Sequence, residues 1–454
     1  MRRAFLVMAL AAAFAARAGA QTTDQDTKQL IQTLMNRINS LESRVAELEK
    51  ENAAAHLTPA QPAAQTAQAA VPPAPQPAPA PPTRPSPAET IAAVHQAHEQ
   101  APPPESTAPP AGPGLHIAGF GGIAFSASDL HGPDGGFQPL TLLSTHSGFS
   151  EGQFVLQLSS ALSSKVSVFS ELTLTARADA GTGEPPAPGF NPEVERIIIR
   201  YDWNDYFKIS FGRFHTPINY WNTAYHHGTW LQTTIDRPEM TQFGGSFIPV
   251  HFVGMLVEGA IPANGLNLNY NFGLGNGRGE VLSRAGDLGD INNNRAWLVN
   301  AFIRPDQLYG LQVGGSVYHD KLNPLNGMPE REWIESAHVV WAKETPEFIT
   351  EFANEQHQPL NGGVISNSQA VYSQIAYRLP WDFKLWKPYY RFEYIHVPQS
   401  DTVFRVLVPT YTGSTAGVRY DITSFAAFKV EYRHYNPRNL PPINGAFVST
   451  DFTF

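Results

Sequence analysis

The chain has 454 residues, no cysteine and a formal net charge of −9 at pH 7. The lack of cysteine excludes disulfides and thiolate chemistry, and the acidic balance argues against nucleic acid as a partner. Pro and Ala crowd residues 53–114, whereas Tyr, Phe, Trp, Gly and Asn dominate from residue 115 onward, which predicts two regions of different structure.

The N-terminus has the three parts of a Sec signal peptide. Arg2 and Arg3 form a basic start, residues 4–16 form an apolar stretch, and Ala18-Gly19-Ala20 (18–20) is a small-residue cleavage site. The apolar stretch is too short to span a membrane, and no later stretch is long and apolar enough for a transmembrane helix. We therefore expect export, removal of residues 1–20, and a short mature N-terminus at 21–27.

Residues 28–52 carry apolar side chains at the spacing of a short parallel coiled coil. Branched residues at position a with Leu at position d favour a dimer. However, RINSLE and RVAELE resemble the Arg-apolar-x-x-apolar-Glu pattern of parallel trimers, and two tandem copies favour a trimer over a dimer. The predicted trimerisation residues are Ile31, Leu34, Ile38, Leu41, Val45 and Leu48 in the seam, flanked by Arg37, Glu42, Arg44 and Glu49.

Residues 53–114 are predicted to be a Pro/Ala-rich linker. Runs such as PAPQPAPAPPTRPSP favour extended polyproline II conformation without a packed core. A trimeric coil on such a stalk would suit a periplasmic tether, with peptidoglycan or an inner-membrane protein as a candidate partner. Tethering is therefore an alternative or additional role for the chain.

From Leu115 onward, apolar and polar residues alternate with the period of a β-strand. In residues 195–203, for example, Ile197 and Ile199 share one face while Arg196 and Arg200 share the other. Sixteen such runs, each apolar on one face and polar on the other, favour a lipid-embedded barrel over a β-sandwich with a dry core. We predict an all-β fold, a 16-stranded antiparallel transmembrane β-barrel, over residues 115–454.

The connections between these runs alternate long and short, as in barrels with short periplasmic turns and long outer loops. The final strand ends in VSTDFTF, which resembles the C-terminal signature that the outer-membrane assembly machinery recognises. Phe452 and Phe454 are the predicted assembly signal. The predicted long connections are 129–150, 179–193, 214–245, 275–294, 321–331, 357–368, 398–412 and 436–445.

The layout resembles that of trimeric bacterial outer-membrane porins, most nearly the phosphate-selective porin O/P type. The local likeness lies in FGRFHTPINYWN (211–222), a Gly-Arg strand end followed by a Pro-Ile turn. The resemblance implies a homotrimer in outer-membrane lipid that forms a water-filled channel for small hydrophilic solutes or ions. It also implies that loop 214–245 folds inward as a constriction, with His215, Tyr220, Trp221, Asn222, His226, His227, Arg237 and Glu239 as its residues.

Strand phase predicts which charged residues line the pore. The mixture of signs favours general diffusion, with at most a mild anion preference near Arg196, Arg200 and Lys208; a phosphate- or anion-selective pore is the alternative. No Gly-x-Ser-x-Gly or HExxH motif is present, so we expect no enzyme, no cofactor and no metal. The predicted inward bases are Arg177, Arg196, Arg200, Lys208, Arg378, Lys387, Arg391, Lys429 and Arg433, and the inward acids are Glu171, Asp202, Glu351, Glu355, Glu393 and Glu431.

Overall fold

A computed structural model describes residues 114–129, 147–176, 189–225, 228–242, 247–325, 327–438 and 441–454. The predicted signal peptide, coiled coil with its ten trimerisation residues, and nearly all of the linker lie outside these residues. So do Arg177, His226 and His227 among the predicted site residues.

Seventeen strand segments lie within the described residues, and each is antiparallel to its neighbours. Their bounds are His116–Ser128 (β1), Gly148–Glu151 (β2), Phe154–Ala161 (β3), Val166–Ala176 (β4), Phe190–Asn204 (β5), Phe207–His215 (β6), His251–Ile261 (β7), Leu268–Asn276 (β8), Ala296–Ile303 (β9), Leu311–Leu322 (β10), Glu330–Ala342 (β11), Glu347–Pro359 (β12), Ser366–Ala376 (β13), Trp386–His396 (β14), Tyr411–Thr423 (β15), Ala426–Pro437 (β16) and Ile443–Thr453 (β17).

The sheet closes on itself because β1 pairs with β17. Both β2 and β3 pair with β1, so they are two parts of one strand that is interrupted at Gly152 and Gln153. Counted in this way, the described residues form a closed antiparallel barrel of sixteen strands, which confirms the predicted strand count and leaves no unpaired sheet edge.

Helical structure is minor in the described residues. One short helix, α1, spans Trp221–Ala224, and single 3-10 turns span Glu239–Thr241, Ala263–Gly265, Asp306–Leu308 and Trp381–Phe383. No helix among the residues that the structure describes is long and apolar enough to cross a membrane.

The two faces of the strands differ as the alternation predicts. On β16, Phe428 and Val430 point outward and are 37% and 44% exposed, whereas Lys429 and Arg433 point inward and are fully buried. An apolar exterior around a polar interior is what a barrel in lipid requires, because all of its backbone groups are paired between strands.

Several strand bounds differ from the predicted ones. β5 begins at Phe190 rather than at 195, because its ladder with β4 continues past the alternating stretch. β7 begins at His251 rather than at 246, because residues 247–250 are a buried, irregular approach to the strand. The β13–β14 connection, residues 377–385, is longer than a simple turn and interrupts the predicted alternation of loop lengths. Backbone bonds from Tyr377 to Pro388 and from Leu379 to Trp386 still join its two sides.

A bulge in β5 and a glycine in β6 break the alternation near the predicted constriction. Opposite Glu171 and Leu172 of β4, β5 carries the extra residue Glu195, so that Glu195 and Arg196 are both buried. Gly212 has a φ of 151°, and the next three residues, Arg213–His215 (213–215), are all buried. The Gly-Arg pair at the end of β6 therefore turns the chain toward the barrel interior.

Gly212→Ala is expected to destabilise the barrel by about 1–3 kcal/mol, because the new Cβ would lie 1.9 Å from the carbonyl oxygen of Ile197 in a strained backbone region. Unfolding in urea, followed by heat-modifiable migration on gels, measures the effect. Gly148→Ala is the matched control, since a Cβ there meets nothing within 4 Å. Equal stability of the two variants would contradict this role of Gly212.

Candidate functional site in the barrel interior

The connection between β6 and β7 supplies most of the packed interior. Its described residues 216–225 and 228–242, here called the inner segment, are largely buried. Trp221 and Trp230 are 0% and 1% exposed, and Trp221 packs edge-on against Tyr372 of β13 at 5.9 Å between ring centroids. Asn222 closes the base of the segment by donating to the carbonyl oxygens of Thr216 and Val250, at 2.8 and 3.1 Å.

Inward carboxylates of the wall accept backbone N–H groups of the inner segment. Glu351 on β12 accepts from Tyr220 at 2.7 Å and from Trp221 at 2.6 Å, which satisfies the free N–H groups at the start of α1. Glu431 on β16 accepts a hydrogen bond from the N–H of Ile235 at 2.6 Å. Glu393 on β14 accepts one from the N–H of Glu239 at 2.7 Å.

Inward cations donate to the backbone carbonyls of the same segment. Arg391 donates to Asp236 at 2.8 Å, Arg419 donates to Trp230 at 2.6 Å, and Lys429 donates to Thr234 at 3.0 Å. A buried irregular loop needs partners for its backbone, and the wall supplies both donors and acceptors. Most of the predicted basic residues of β14–β16 therefore bind protein rather than facing free solvent.

Charged side chains beside the segment also pair with each other. Arg391 contacts Glu393 at 2.7 Å, and Arg433 contacts Glu431 at 2.7 Å and Asp236 at 3.2 Å. Such pairs are satisfied but carry no strong stability argument on their own, because both partners lose their hydration. They give this side of the interior a mixed, closely balanced charge.

Three ionisable groups of the inner segment have shifted pKa values. Burial raises the pKa of Glu239 to about 8, and the nearby carboxylates Glu393 and Asp236 add to the rise. Burial also raises the pKa of Asp236, against the opposing effect of Arg433 and Arg391. Burial lowers the pKa of Arg237 to about 10. These directions follow from the cost of a charge in a poorly hydrated site.

Arg378 and Lys387 lie at the short-turn end of the barrel. Both bind Glu344 of the β11–β12 turn, at 2.8 and 2.9 Å, and Lys387 also contacts Glu347 at 2.6 Å. Burial alone would raise the pKa of Glu344, but the charges of Lys387 and Arg378 outweigh it and lower this pKa to about 2. The ion pairs of this cluster link three neighbouring strands, and each of its charged groups has a partner of opposite charge.

On the side of strands β4–β10, the inner segment does not fill the space up to the barrel wall. A cavity of about 200 Å³ lies between the inner segment and strands β4–β10. The hydrogen bonds of the inner segment to the wall reach Ser316 of β10, Glu351 of β12 and strands β14–β17. The cavity is lined by Arg196, Arg200, Lys208, Arg304, Asp205 and Glu258, by the amides of Asn269, Asn271, Asn300 and Gln312, and by His215 and Asn219 near the segment.

The basic side chains that line this cavity differ in their ion pairs with acidic groups. Arg196 contacts Glu171 at 2.6 Å, and Arg200 contacts Asp202 and Glu258 at 2.6 and 3.0 Å. Lys208 forms no ion pair in the described part of the chain. The structure thus brings Arg196, Arg200 and Lys208 to one cavity, where Lys208 lies directly across from Asp202 and Glu258 of the neighbouring strands without an ion pair to either.

The two terminal phenylalanines lie on the strand that closes the barrel. Phe454 exchanges backbone hydrogen bonds with Gly119 of β1, at 3.0 and 3.1 Å, and its ring stacks on Phe154 at 6.0 Å. Phe452 and Phe454 are 41% and 54% exposed on the outer face. Both side chains therefore sit at the seam where the first and last strands meet.

Sequence reasoning missed several buried charges of the interior. Arg419 and Glu347 have the same strand phase as the predicted pore residues, so the period-2 rule could have found them. Glu195 could not have been found in this way, because a bulge places it inside. Arg213, which donates to the backbone oxygen of Glu195 at 2.9 Å, depends on the conformation of Gly212.

Known proteins resemble this chain in fold. No family model matches the sequence, and no curated protein matches it. The solved anion-selective porin from Comamonas acidovorans is similar at 9% identity, over 75% of this chain and 100% of that one, with a TM-score of 0.51. OmpF of Salmonella typhi, in complex with daunomycin, is similar at 12% identity, over 76% and 98%, with a TM-score of 0.50. At such identities the likeness establishes a porin-like barrel fold and nothing finer.

Proposed function

We propose that this chain is an outer-membrane porin that forms a water-filled channel for passive diffusion of small hydrophilic solutes or ions. The observation that carries the proposal is the asymmetry of the interior. The inner segment is hydrogen-bonded to the wall of β10–β17, while a cavity lined by charged and amide side chains as well as apolar ones remains beside β4–β10. A segment held in this way would narrow the barrel to an off-axis path without closing it.

The proposed constriction comprises the inner segment and the wall that faces it across the cavity. His215, Asn219 and Thr223 would form one side, and Arg196, Arg200 and Lys208 would form the other. Because Arg196 and Arg200 are paired with acids, we propose weak anion preference rather than a phosphate-specific site. A phosphate- or anion-selective porin of the O/P type is the second candidate, supported by the same three cations.

The proposal includes a homotrimer in outer-membrane lipid, with β17 presented to the assembly machinery and the N-terminal stalk in the periplasm. The two Arg-apolar-x-x-apolar-Glu copies within residues 28–52 support trimerisation, and peptidoglycan is a candidate partner of the stalk. We propose a channel rather than an enzyme, since the buried charges of the interior are used in ion pairs and in holding the inner segment.

Lys208→Glu is expected to lower the ratio of chloride to potassium permeability severalfold. One unit charge about 4 Å from an ion in water is worth about 1 kcal/mol, and the substitution changes the local charge by two units. The reversal potential across a planar bilayer under a KCl gradient measures the ratio.

Lys165→Glu is the matched control. Lys165 lies in the short β3–β4 turn, with its Nζ 5.7 Å from the ring centroid of the outward-facing Trp203. The control is expected to keep the wild-type reversal potential. An equal shift in both variants, or no shift in Lys208→Glu, would contradict a path through the cavity. Block of wild-type current by millimolar phosphate would favour the phosphate-selective alternative.

A further inference from the structure

A second cluster of ionisable side chains lies near the long-loop end of β11 and β12, away from the cavity. Glu332 and His357 are direct partners across these strands, and Glu355 lies two residues before His357 on the same face. All three are 0% exposed, and one ligand atom from each lies within 4.8 Å of the others. Three potential metal ligands therefore converge in a fully buried site.

The histidine of this cluster is held in one orientation. His357 Nδ1 lies 3.0 Å from the Asp401 carboxylate, which also accepts hydrogen bonds from the Ser368 hydroxyl and from the N–H of Phe404. Its Nε2 points into the cluster, 3.3 Å from Glu332 Oε1. A carboxylate that fixes Nδ1–H and leaves Nε2 facing other ligands is the usual support of a metal-binding histidine.

The cluster has more acid than base. Arg278 pairs with Glu332 at 3.0 Å and with Glu355 Oε2 at 3.3 Å, and Asp320 adds another carboxylate next to the Arg278 backbone. Glu355 Oε1 is buried and has no hydrogen-bond partner in the described part of the chain. A buried carboxylate oxygen without a partner is costly unless a proton or a cation compensates it. One carboxylate oxygen of Glu355 lies within 4.8 Å of a ligand atom of Glu332 and of one of His357.

We propose that Glu332, Glu355 and His357 bind one divalent transition-metal ion, for which Zn²⁺ is the best match. A mixed set of imidazole nitrogen and carboxylate oxygens suits Zn²⁺, whereas Ca²⁺ and Mg²⁺ prefer oxygen ligands alone. The ion takes the place of the proton on His357 Nε2, and that proton leaves to solvent. Arg278 keeps its contact with Glu332, and Asp401 keeps its contact with Nδ1.

Such an ion would stabilise the long-loop end of the barrel. Arg278 belongs to the β8–β9 connection and Asp401 to the β14–β15 connection, and both contact the cluster on β11–β12. A metal bound there would hold two outer connections against the wall. This inference concerns a site apart from the proposed channel and stands whether or not the chain conducts.

The test is isothermal titration of ZnCl₂ into refolded, EDTA-treated full-length protein, in two buffers of different ionisation enthalpy. We expect one Zn²⁺ per chain, about one proton released per ion, and a higher thermal unfolding temperature with Zn²⁺ present. Glu355→Gln and His357→Gln should each weaken binding by about tenfold or more. Glu335→Gln, at an exposed glutamate of β11, is the control and should bind as the wild type does.

Spectroscopy on the wild-type protein tests the metal site without requiring that a substituted variant folds. Co²⁺ should give the d–d absorption bands of a low-symmetry nitrogen and oxygen site, and one equivalent of ZnCl₂ should abolish them. Unchanged Zn²⁺ affinity in His357→Gln would overturn the proposal. So would octahedral Co²⁺ bands that ZnCl₂ leaves in place, or tighter binding of Ca²⁺ than of Zn²⁺.

Discussion

Replacing residues 217–241 with a short glycine-serine connection is expected to raise single-channel conductance severalfold. The inner segment packs against the wall of β10–β17 with buried side chains such as Trp221 and Trp230. Its removal would leave a wide, hydrated lumen, because the wall residues freed from it are charged and polar. Conductance in planar bilayers measures the change directly.

The control is deletion of residues 361–364, an exposed turn between β12 and β13. This variant should conduct as the wild type does, and both proteins should keep heat-modifiable migration as evidence of a closed barrel. If the variant without the inner segment folds and its conductance is unchanged, the segment does not limit the channel.

The attachment of the inner segment is expected to weaken as the pH rises, because of Glu239. Its side chain is 3% exposed, and neither carboxylate oxygen has a hydrogen-bond partner in the described residues. The charged groups that face it are Glu393, Asp236, Arg391 and Arg433, and burial with the two acids outweighs the two arginines. Glu239 is therefore neutral when the segment is in place at moderate pH.

The direction of this pH dependence follows from the pKa values of the Glu239 carboxyl in the buried and in the solvated state. Its pKa is about 8 with the segment in place and 4.5 in the ordinary solvated state, so the buried arrangement favours the protonated form. The resulting stabilisation is complete below about pH 4.5 and is lost as the pH rises through 8, with a total change on the order of 5 kcal/mol.

We expect larger and noisier conductance at pH 9 than at pH 6 for the wild type. Glu239→Gln should remove this difference, because the amide cannot ionise. Glu280→Gln, at an exposed acid of the β8–β9 connection, is the matched control and should keep the wild-type pH response. A pH response that persists in Glu239→Gln would show that a group other than Glu239 causes the response.

The barrel itself could be predicted from the sequence because its rules are local. A period of two places Phe428 and Lys429 on opposite faces whatever lies elsewhere in the chain. Each of the sixteen predicted runs corresponds to one strand of the barrel, although the bounds of β5 and β7 differ by several residues. Bulges such as that at Glu195 leave no mark in the alternation until the partner strand is known.

The organisation of the interior could not be predicted, because it depends on contacts between distant residues. Strand phase assigned Glu351 to the inner face, but its partners, the N–H groups of Tyr220 and Trp221, lie about 130 residues earlier in the chain. The same limit applies to His357 and Asp401, which are separated by 44 residues and show no metal-binding spacing. Only the closed sheet brings these groups together.

The most direct test of the central claim is single-channel recording of the purified, refolded protein in planar bilayers under a KCl gradient. The proposed porin predicts stable conductance steps that arrive in groups of three, with a reversal potential that indicates weak anion preference. A folded, heat-modifiable barrel that inserts but never conducts would contradict the channel and leave the periplasmic tether as the function to pursue.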